Sequence, residues 1–192
     1  NSPERGEKFY LEAKNSLEEL VNNKTVRLEF GKDKKDKYGR TLAYVFIDNE
    51  NINLKIVEKG LANFYFPSGK DKYYRDFYSA WENCDKKLCE RSEEKCIELK
   101  SFDYKNEIII LENVCGFDVD LTGWEIKDEG RKKFIFPEFI LKKDSEIKII
   151  TGEREDNKSE LFWTGETYVW TKTGDTLFLR DGEGKLVLWA PY

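Results

Sequence analysis

Between residues 10 and 22, Tyr10, Ala13, Leu17, Leu20 and Val21 recur at the spacing of a helix with one apolar stripe, and Asn22-Asn23 supplies its stop. In TVRLEF, residues 25–30, Val26, Leu28 and Phe30 alternate with Thr25, Arg27 and Glu29, the period of a half-buried strand. TLAYVFI, residues 41–47, predicts a second, more apolar strand, and the two read as a hairpin joined by a long basic loop. INLKIVEKG predicts a short helix closed by Gly60, LANFYF reads as a strand, and Pro67-Ser68-Gly69 breaks the chain. The spacing of Tyr73, Phe77, Ala80 and Trp81 predicts a helix from Lys70 to about Lys87. The first ninety residues thus contain about three strands, too few to close a barrel without help.

After the polar stretch ERSEEK the pattern changes to strands throughout. CIELKSF, EIIILENV, TGWEIKD, KFIFP, EIKIIT, ETYVW, DTLFLRD and KLVLW follow at close spacing, with Asn106, Gly116, Gly130, Gly152, Gly174 and Gly182 to Gly184 between them. About eight short strands in such a length predict an all-β sandwich. The domain boundary is expected near Ser92, giving domains 1–92 and 93–192.

Composition narrows the chemistry. With 39% hydrophobic and 37% charged residues the chain has a globular composition, and no apolar run approaches the roughly 18 residues a membrane-spanning helix needs. No apolar stretch with a basic flank opens the chain as a signal peptide would. The net charge of −5 is uneven: residues 1–92 carry 18 basic and 16 acidic side chains, leaving 15 basic and 22 acidic for residues 93–192. A polyanion must therefore be met locally, through a cluster such as Lys32, Lys34, Lys35, Lys37 and Arg40, or with the help of a cation. The chain has no histidine, which removes imidazole acid–base chemistry and histidine-ligated zinc.

The stretch KKDKYGRTLAYVFI places Arg40 in a charged loop that reads by itself as a solvated turn. In its wider setting, with Asp36-Lys37-Tyr38-Gly39-Arg40 between two strands and Gly60-Leu61-Ala62 after a short helix, the run resembles the staphylococcal nuclease-like family. The resemblance covers most of residues 1–92 and implies an OB-fold domain with calcium-dependent phosphodiesterase activity on DNA and RNA. It implies that Arg40 binds the scissile phosphate, that Lys37 and Tyr38 contact phosphate, and that Glu4, in NSPE, is the general base. It also implies calcium ligands at the Ser2 carbonyl and at Asn1, where the family has an aspartate; an amide there contributes less charge and weakens binding. Relatives carry three further strands ahead of this motif, with another calcium-ligating aspartate and a second arginine. The expectation is a truncated domain with half a site, completed by a longer parent or by another chain or copy, such as a homodimer.

In the second half, LTGWEIKDEG, KFIFPEFILKKDSEIKIITG and WTKTGDTLFLRDGEGKLV resemble the lamin-tail domain, an immunoglobulin-like sandwich. Leu121, Gly123, Trp124, Phe134, Phe136, Pro137, Gly174, Asp175, Leu177, Leu179, Asp181 and Gly184 carry the match. The resemblance implies tethering, or presentation of substrate or of an envelope or protein partner, rather than chemistry. Trp124, Trp163 and Trp170 read as core or rim aromatics before a ligand platform, and Asp118, Asp120, Asp128 and Glu129 as a solvated acidic edge before a cation site.

Cys84, Cys89, Cys96 and Cys115 span the junction. An even count fits disulfides in an oxidising, extracellular or envelope setting, and the hairpin from CIELKSF to EIIILENV favours Cys96 with Cys115, leaving Cys84 with Cys89. Free thiols stay open; a four-thiolate zinc is disfavoured because the usual C-x2-C spacing is missing. A calcium-dependent nuclease with an accessory sandwich is the leading reading. An inert scaffold that binds nucleic acid or a cell-envelope partner through its β-sandwich is the alternative.

Overall fold

The structure, a computed structural model, describes residues 1–36, 38–66 and 68–192 and divides into two compact units, Asn1–Glu90 and Arg91–Tyr192. In the first unit, helix α1 (Tyr10–Val21) leads to strands β1 (Arg27–Glu29), β2 (Tyr44–Ile47) and β3 (Glu50–Asn51), then to helices α2 (Ile52–Glu58) and α3 (Tyr74–Glu82). The strands form one antiparallel sheet in the order β1-β2-β3, with Leu28 opposite Val45 and Phe46 opposite Asn51. Asn51 caps α2, its Oδ1 accepting the Leu54 amide at 3.2 Å, which turns the chain from strand to helix without a loop. Phe46, Ile47, Ile56, Val57, Leu61, Phe64, Phe77 and Trp81 are buried, and Phe64 meets Trp81 edge-on at 6.4 Å. Glu29 ties β1 to the start of α3: hydrogen bonds from Lys72, Tyr73 and Arg27 hold its carboxyl down to about 2.

Three expectations change here. LANFYF forms no strand: Leu61, Ala62 and Phe64 fill the core, while Asn63 trades backbone hydrogen bonds with Asn1 at 2.9 and 2.7 Å. The helix expected from Lys70 to Lys87 spans only Tyr74–Glu82, because Asp71 turns the chain before it and Asn83 folds its amide back onto the Ser79 carbonyl. Val26, Leu28 and Phe30 are 38%, 48% and 44% exposed rather than half-buried, since β1 pairs with β2 alone.

The second unit carries ten strands among its described residues: β4 (Ile97–Asp103), β5 (Ile108–Asn113), β6 (Val119–Asp120), β7 (Glu125–Lys127), β8 (Lys133–Ile135), β9 (Ile140–Leu141), β10 (Glu146–Thr151), β11 (Glu160–Trp163), β12 (Thr176–Arg180) and β13 (Leu186–Pro191). Two four-stranded sheets, β11-β10-β5-β4 and β13-β12-β7-β8, enclose Leu111, Leu121, Ile126, Ile147, Ile149, Leu177 and Leu179, with β6 and β9 paired separately. This is the expected immunoglobulin-like sandwich. Trp124, Trp163 and Trp170 all lie in its core.

ETYVW is not a strand. The Glu107 carboxylate accepts the amides of Val169 and Trp170, at 2.8 and 3.2 Å, so a side chain takes the place of a ladder there. The strand lies earlier, at Glu160–Trp163, parallel to β10. The acidic edge is also corrected in part. Asp118 and Asp120 are exposed, but Asp128 and Glu129 are buried, with Asp128 accepting the Lys132 amide and Glu129 accepting the Thr176 hydroxyl at 2.6 Å. Burial and the neighbouring Asp175 push the Asp128 carboxyl up to about 7.

Candidate active site

Residues 34–36 and 40–42 form a narrow ribbon. The Leu42 amide bonds the Lys34 carbonyl, Lys35 bridges Thr41, and the Asp36 amide bonds the Arg40 carbonyl, each hydrogen bond at 3.0 Å. At the tip, Gly39 takes φ +79, a left-handed conformation that costs glycine little, and its amide closes the turn onto Asp36.

Asp36 organises this tip. Its Oδ1 accepts the amides of Tyr38 and Arg40, both at 2.9 Å, and its Oδ2 accepts Arg40 Nε at 2.5 Å. Burial acts to raise the Asp36 carboxyl, but these hydrogen bonds outweigh it and hold the group below the usual range. The same hydrogen bond, then the Asp36 charge, holds the Arg40 guanidinium above its ordinary value. The Asp36 side chain is 13% exposed against 64% for Arg40, so a nearly buried anion anchors an exposed cation. With Nε engaged, the two Nη atoms of Arg40 make no hydrogen bond among the described residues, on a side chain that is largely exposed. The guanidinium lies 5.3 Å from the centre of the exposed Tyr38 ring.

Glu4 approaches from the other end of the sequence. Its amide donates to the Glu7 carboxylate at 2.7 Å and its carbonyl accepts the Glu7 amide at 2.9 Å, a reciprocal turn that holds Glu4 ahead of α1. Pro3 is buried beside it while Glu4 is exposed, and the Glu4 charge acts on the Arg40 guanidinium. The ribbon therefore sets Tyr38 and Arg40 on one turn, and the Glu4 charge reaches the Arg40 guanidinium. Lys37 lies outside the described residues. Asn1 and Ser2 are exposed, and Asn1 is fixed to Asn63 through both its backbone groups.

A cavity of about 170 Å³ opens next to this ribbon, walled by Asn1, Leu42, Tyr44, Phe64, Tyr65 and Phe66. Leu42, which lines it, follows Arg40 by two residues in the chain. An aromatic slot of this kind can hold a planar group. Two features escaped the sequence reading: the anchoring role of Asp36, signalled by an aspartate at the first position of a turn with glycine at its end, and the slot, which has no local signal. Cys84 is bonded to Cys89 and Cys96 to Cys115, with Cα atoms 5.6 and 5.1 Å apart.

Comparison with known proteins divides the chain in the same way. Residues 1–89 match the model described as staphylococcal nuclease homologue, and residues 91–192 match the lamin tail domain. Thermonuclease from Staphylococcus intermedius is 46% identical over 61 residues, 32% of this chain and 36% of that protein. An uncharacterized endonuclease of Haemophilus influenzae is 39% identical over 74 residues, 38% of this chain and 40% of that protein. Endonuclease YncB of Bacillus subtilis is 43% identical over 61 residues, covering 31% and 29%. The chain spans about a third of the length of these curated relatives.

Proposed function

Because the chain belongs to the lamin tail domain family through residues 91–192 and to the staphylococcal nuclease homologues through residues 1–89, we propose that it takes part in hydrolysis of phosphodiester bonds in DNA or RNA. The observation that carries this reading is the Asp36–Arg40 clamp, with the Glu4 charge acting on the same guanidinium.

Attack on a phosphodiester gathers negative charge on the non-bridging oxygens. The free fork of Arg40 can bind two of them while its proton stays in place at any working pH. Glu4 takes a proton from the attacking water as the oxygen–phosphorus bond forms and the bond to the departing sugar oxygen breaks, that oxygen taking its proton from solvent. Lys37 and Tyr38 would hold neighbouring phosphate oxygens, and the aromatic slot would hold a base.

The calcium implied by the resemblance would find the Asn1 amide oxygen and the Ser2 carbonyl as donors. Among the described residues no three acidic or cysteine side chains gather to hold a metal, and these donors fall short of the six to eight oxygens calcium takes. They do not fit a complete site, and no step here runs through the ion. The paired cysteines fit an oxidising compartment, so we place the protein outside the cytoplasm. The sandwich is assigned to tethering or partner binding.

The test is cleavage of fluorescent single-stranded DNA by the 192-residue chain, with calcium and with chelator, beside Arg40→Ala. Cleavage lost in the variant supports the reading. A rate unaffected by the substitution refutes Arg40 as the phosphate-binding group. A chain that binds the strand equally in chelator and never cuts it favours the scaffold alternative.

A further inference from the structure

Strand β1 closes one side of its sheet and leaves the other side open. In the order β1-β2-β3 it has β2 as its one neighbour among the described residues, with Leu28 opposite Val45. The Val45 amide donates to Asn53 Oδ1 at 2.7 Å, away from β1, so Leu28 and Val45 are an opposed pair that exchanges no hydrogen bond. The N–H and C=O of Leu28 therefore point to the open edge, and by the two-residue period of a strand so do those of Val26 and Phe30. Such an edge is a template for another strand, and proteins commonly guard it with charge, lysine above all. β1 instead carries one charge of each sign. The Arg27 guanidinium lies 4.3 Å from the centre of the Phe46 ring and Glu29 accepts the Tyr73 hydroxyl at 2.9 Å, so both stand on the face that meets the start of α3. The exposed side chains of Val26, Leu28 and Phe30 line the opposite face.

We propose that β1 pairs with β1 of a second copy of this chain, antiparallel and centred on Leu28, joining two three-stranded sheets into one of six strands. A two-fold axis through that centre sets Leu28 against its own copy, and sets Val26 against Phe30 and Arg27 against Glu29 twice each. The occupant is a second copy because the strand is complementary to itself in this register, in charge and in apolar surface alike. Moving the axis by one residue sets Arg27 against Arg27 or Glu29 against Glu29, so the charges select Leu28 as the centre. Arg27 and Glu29 also fall at the pairs that exchange no hydrogen bond across the new junction, where opposed side chains stand closest. Arg27 now bonds Glu29 of its own strand at 3.1 Å and its side chain is 55% exposed, so it can turn to the partner's Glu29, while Lys72 and Tyr73 go on holding that carboxylate. The ribbon that carries Arg40 follows β1, so antiparallel pairing sends the two ribbons to opposite ends of the junction and neither obstructs the other. Residues 26–30 make a small junction, for which an affinity on the order of micromolar is expected.

Sedimentation equilibrium of the 192-residue chain over a range of about 1–200 μM, spanning that value, is the test. The wild-type chain should approach the mass of two copies at the top of the range. Leu28→Lys, at a side chain 48% exposed, sets two ammonium groups against each other at the axis and should hold the mass of one copy. Leu11→Lys, at an apolar side chain 67% exposed on α1, should dimerise as the wild type does. Circular dichroism verifies that the variants fold. Cross-linking reads the register, because opposed Cα atoms in a hydrogen-bonded pair lie about 5.5 Å apart, within reach of a disulfide. Leu28→Cys should link to itself on oxidation, whereas Val26→Cys and Phe30→Cys should link to each other when mixed and far less to themselves. A chain that keeps the mass of one copy across the range leaves the edge to some other strand and overturns the pairing. So does a Leu28→Lys chain that dimerises like the wild type, or a Val26→Cys chain that links to itself as fast as Leu28→Cys. Arg40→Ala should dimerise normally, because the pairing uses no catalytic group and stands or falls apart from the nuclease reading.

Discussion

Gly60 is the position where one added carbon should cost the first unit most. It ends α2 with φ +66, its amide bonds the Val57 carbonyl at 2.8 Å, and its carbonyl accepts the Leu88 amide at 3.1 Å. A Cβ there would stand 2.2 Å from the Lys86 carbonyl oxygen and 3.2 Å from Cys84 Sγ. Gly60→Ala therefore carries two costs. Holding alanine in the left-handed region costs about 1 kcal/mol. The obstructing oxygen is main chain, inside the loop closed by the Cys84–Cys89 disulfide, and cannot retreat without loosening the Leu88 hydrogen bond, worth about 1 kcal/mol more with strain added. The sum is about 2 kcal/mol. For a unit of this size that lowers Tm by on the order of 10 °C. Differential scanning calorimetry of the whole chain is the assay, with the sandwich transition as internal reference. Gly60→Asn, which tolerates the backbone angle but keeps the clash, should recover little. A loss under about 1 kcal/mol would show that the disulfide loop yields and would refute the reasoning.

Other outcomes follow from the same contacts. Asp36→Asn keeps the shape of the turn but removes the charge-assisted bond to Arg40 Nε, so kcat/KM for strand cleavage should fall by about tenfold or more. Because the folded Asp36 carboxyl lies below its ordinary 3.8, the clamp persists as pH falls through that value and is lost only below it. Asp128 has the opposite sign: an acid raised to about 7 binds its proton more tightly when folded, so the sandwich should lose stability as pH rises from about 4 to 7, by up to about 4 kcal/mol. Asp128→Asn should flatten that dependence and stabilise the sandwich at pH 8 in urea titrations. Asn113 is buried and its amide donates to the carbonyls of Phe117, Leu141 and Lys142, so Asn113→Ala should cost about 3 kcal/mol by urea denaturation.

How far these features could be read in advance depended on whether their causes are local. The run of closely spaced strand-like segments located β4, β5, β10, β12 and β13, and the motif around Leu121-Gly123-Trp124 identified the sandwich outright. It failed at ETYVW, where the partner of the amides is the distant Glu107 side chain, and it passed over the two-residue strands β6 and β9. LANFYF misled because apolar alternation shows burial, not pairing; its side chains enter the core without a ladder. In the site, Tyr38 and Arg40 were readable because D-x-Y-G-R builds its own turn. Glu4 was named from the short NSPE stretch, whereas the slot walled by Leu42 and Phe64 is a product of tertiary packing and left no pattern in any short window.

The most direct test of the central claim is the rate of phosphodiester cleavage by this chain beside Arg40→Ala, on single-stranded DNA with calcium. Loss of a transition-state contact to a charged group predicts a drop of about 100-fold or more in kcat, with the variant's fold intact by circular dichroism. Equal rates in the two proteins would contradict the account, because the clamp that Asp36 builds around Arg40 would then serve structure alone.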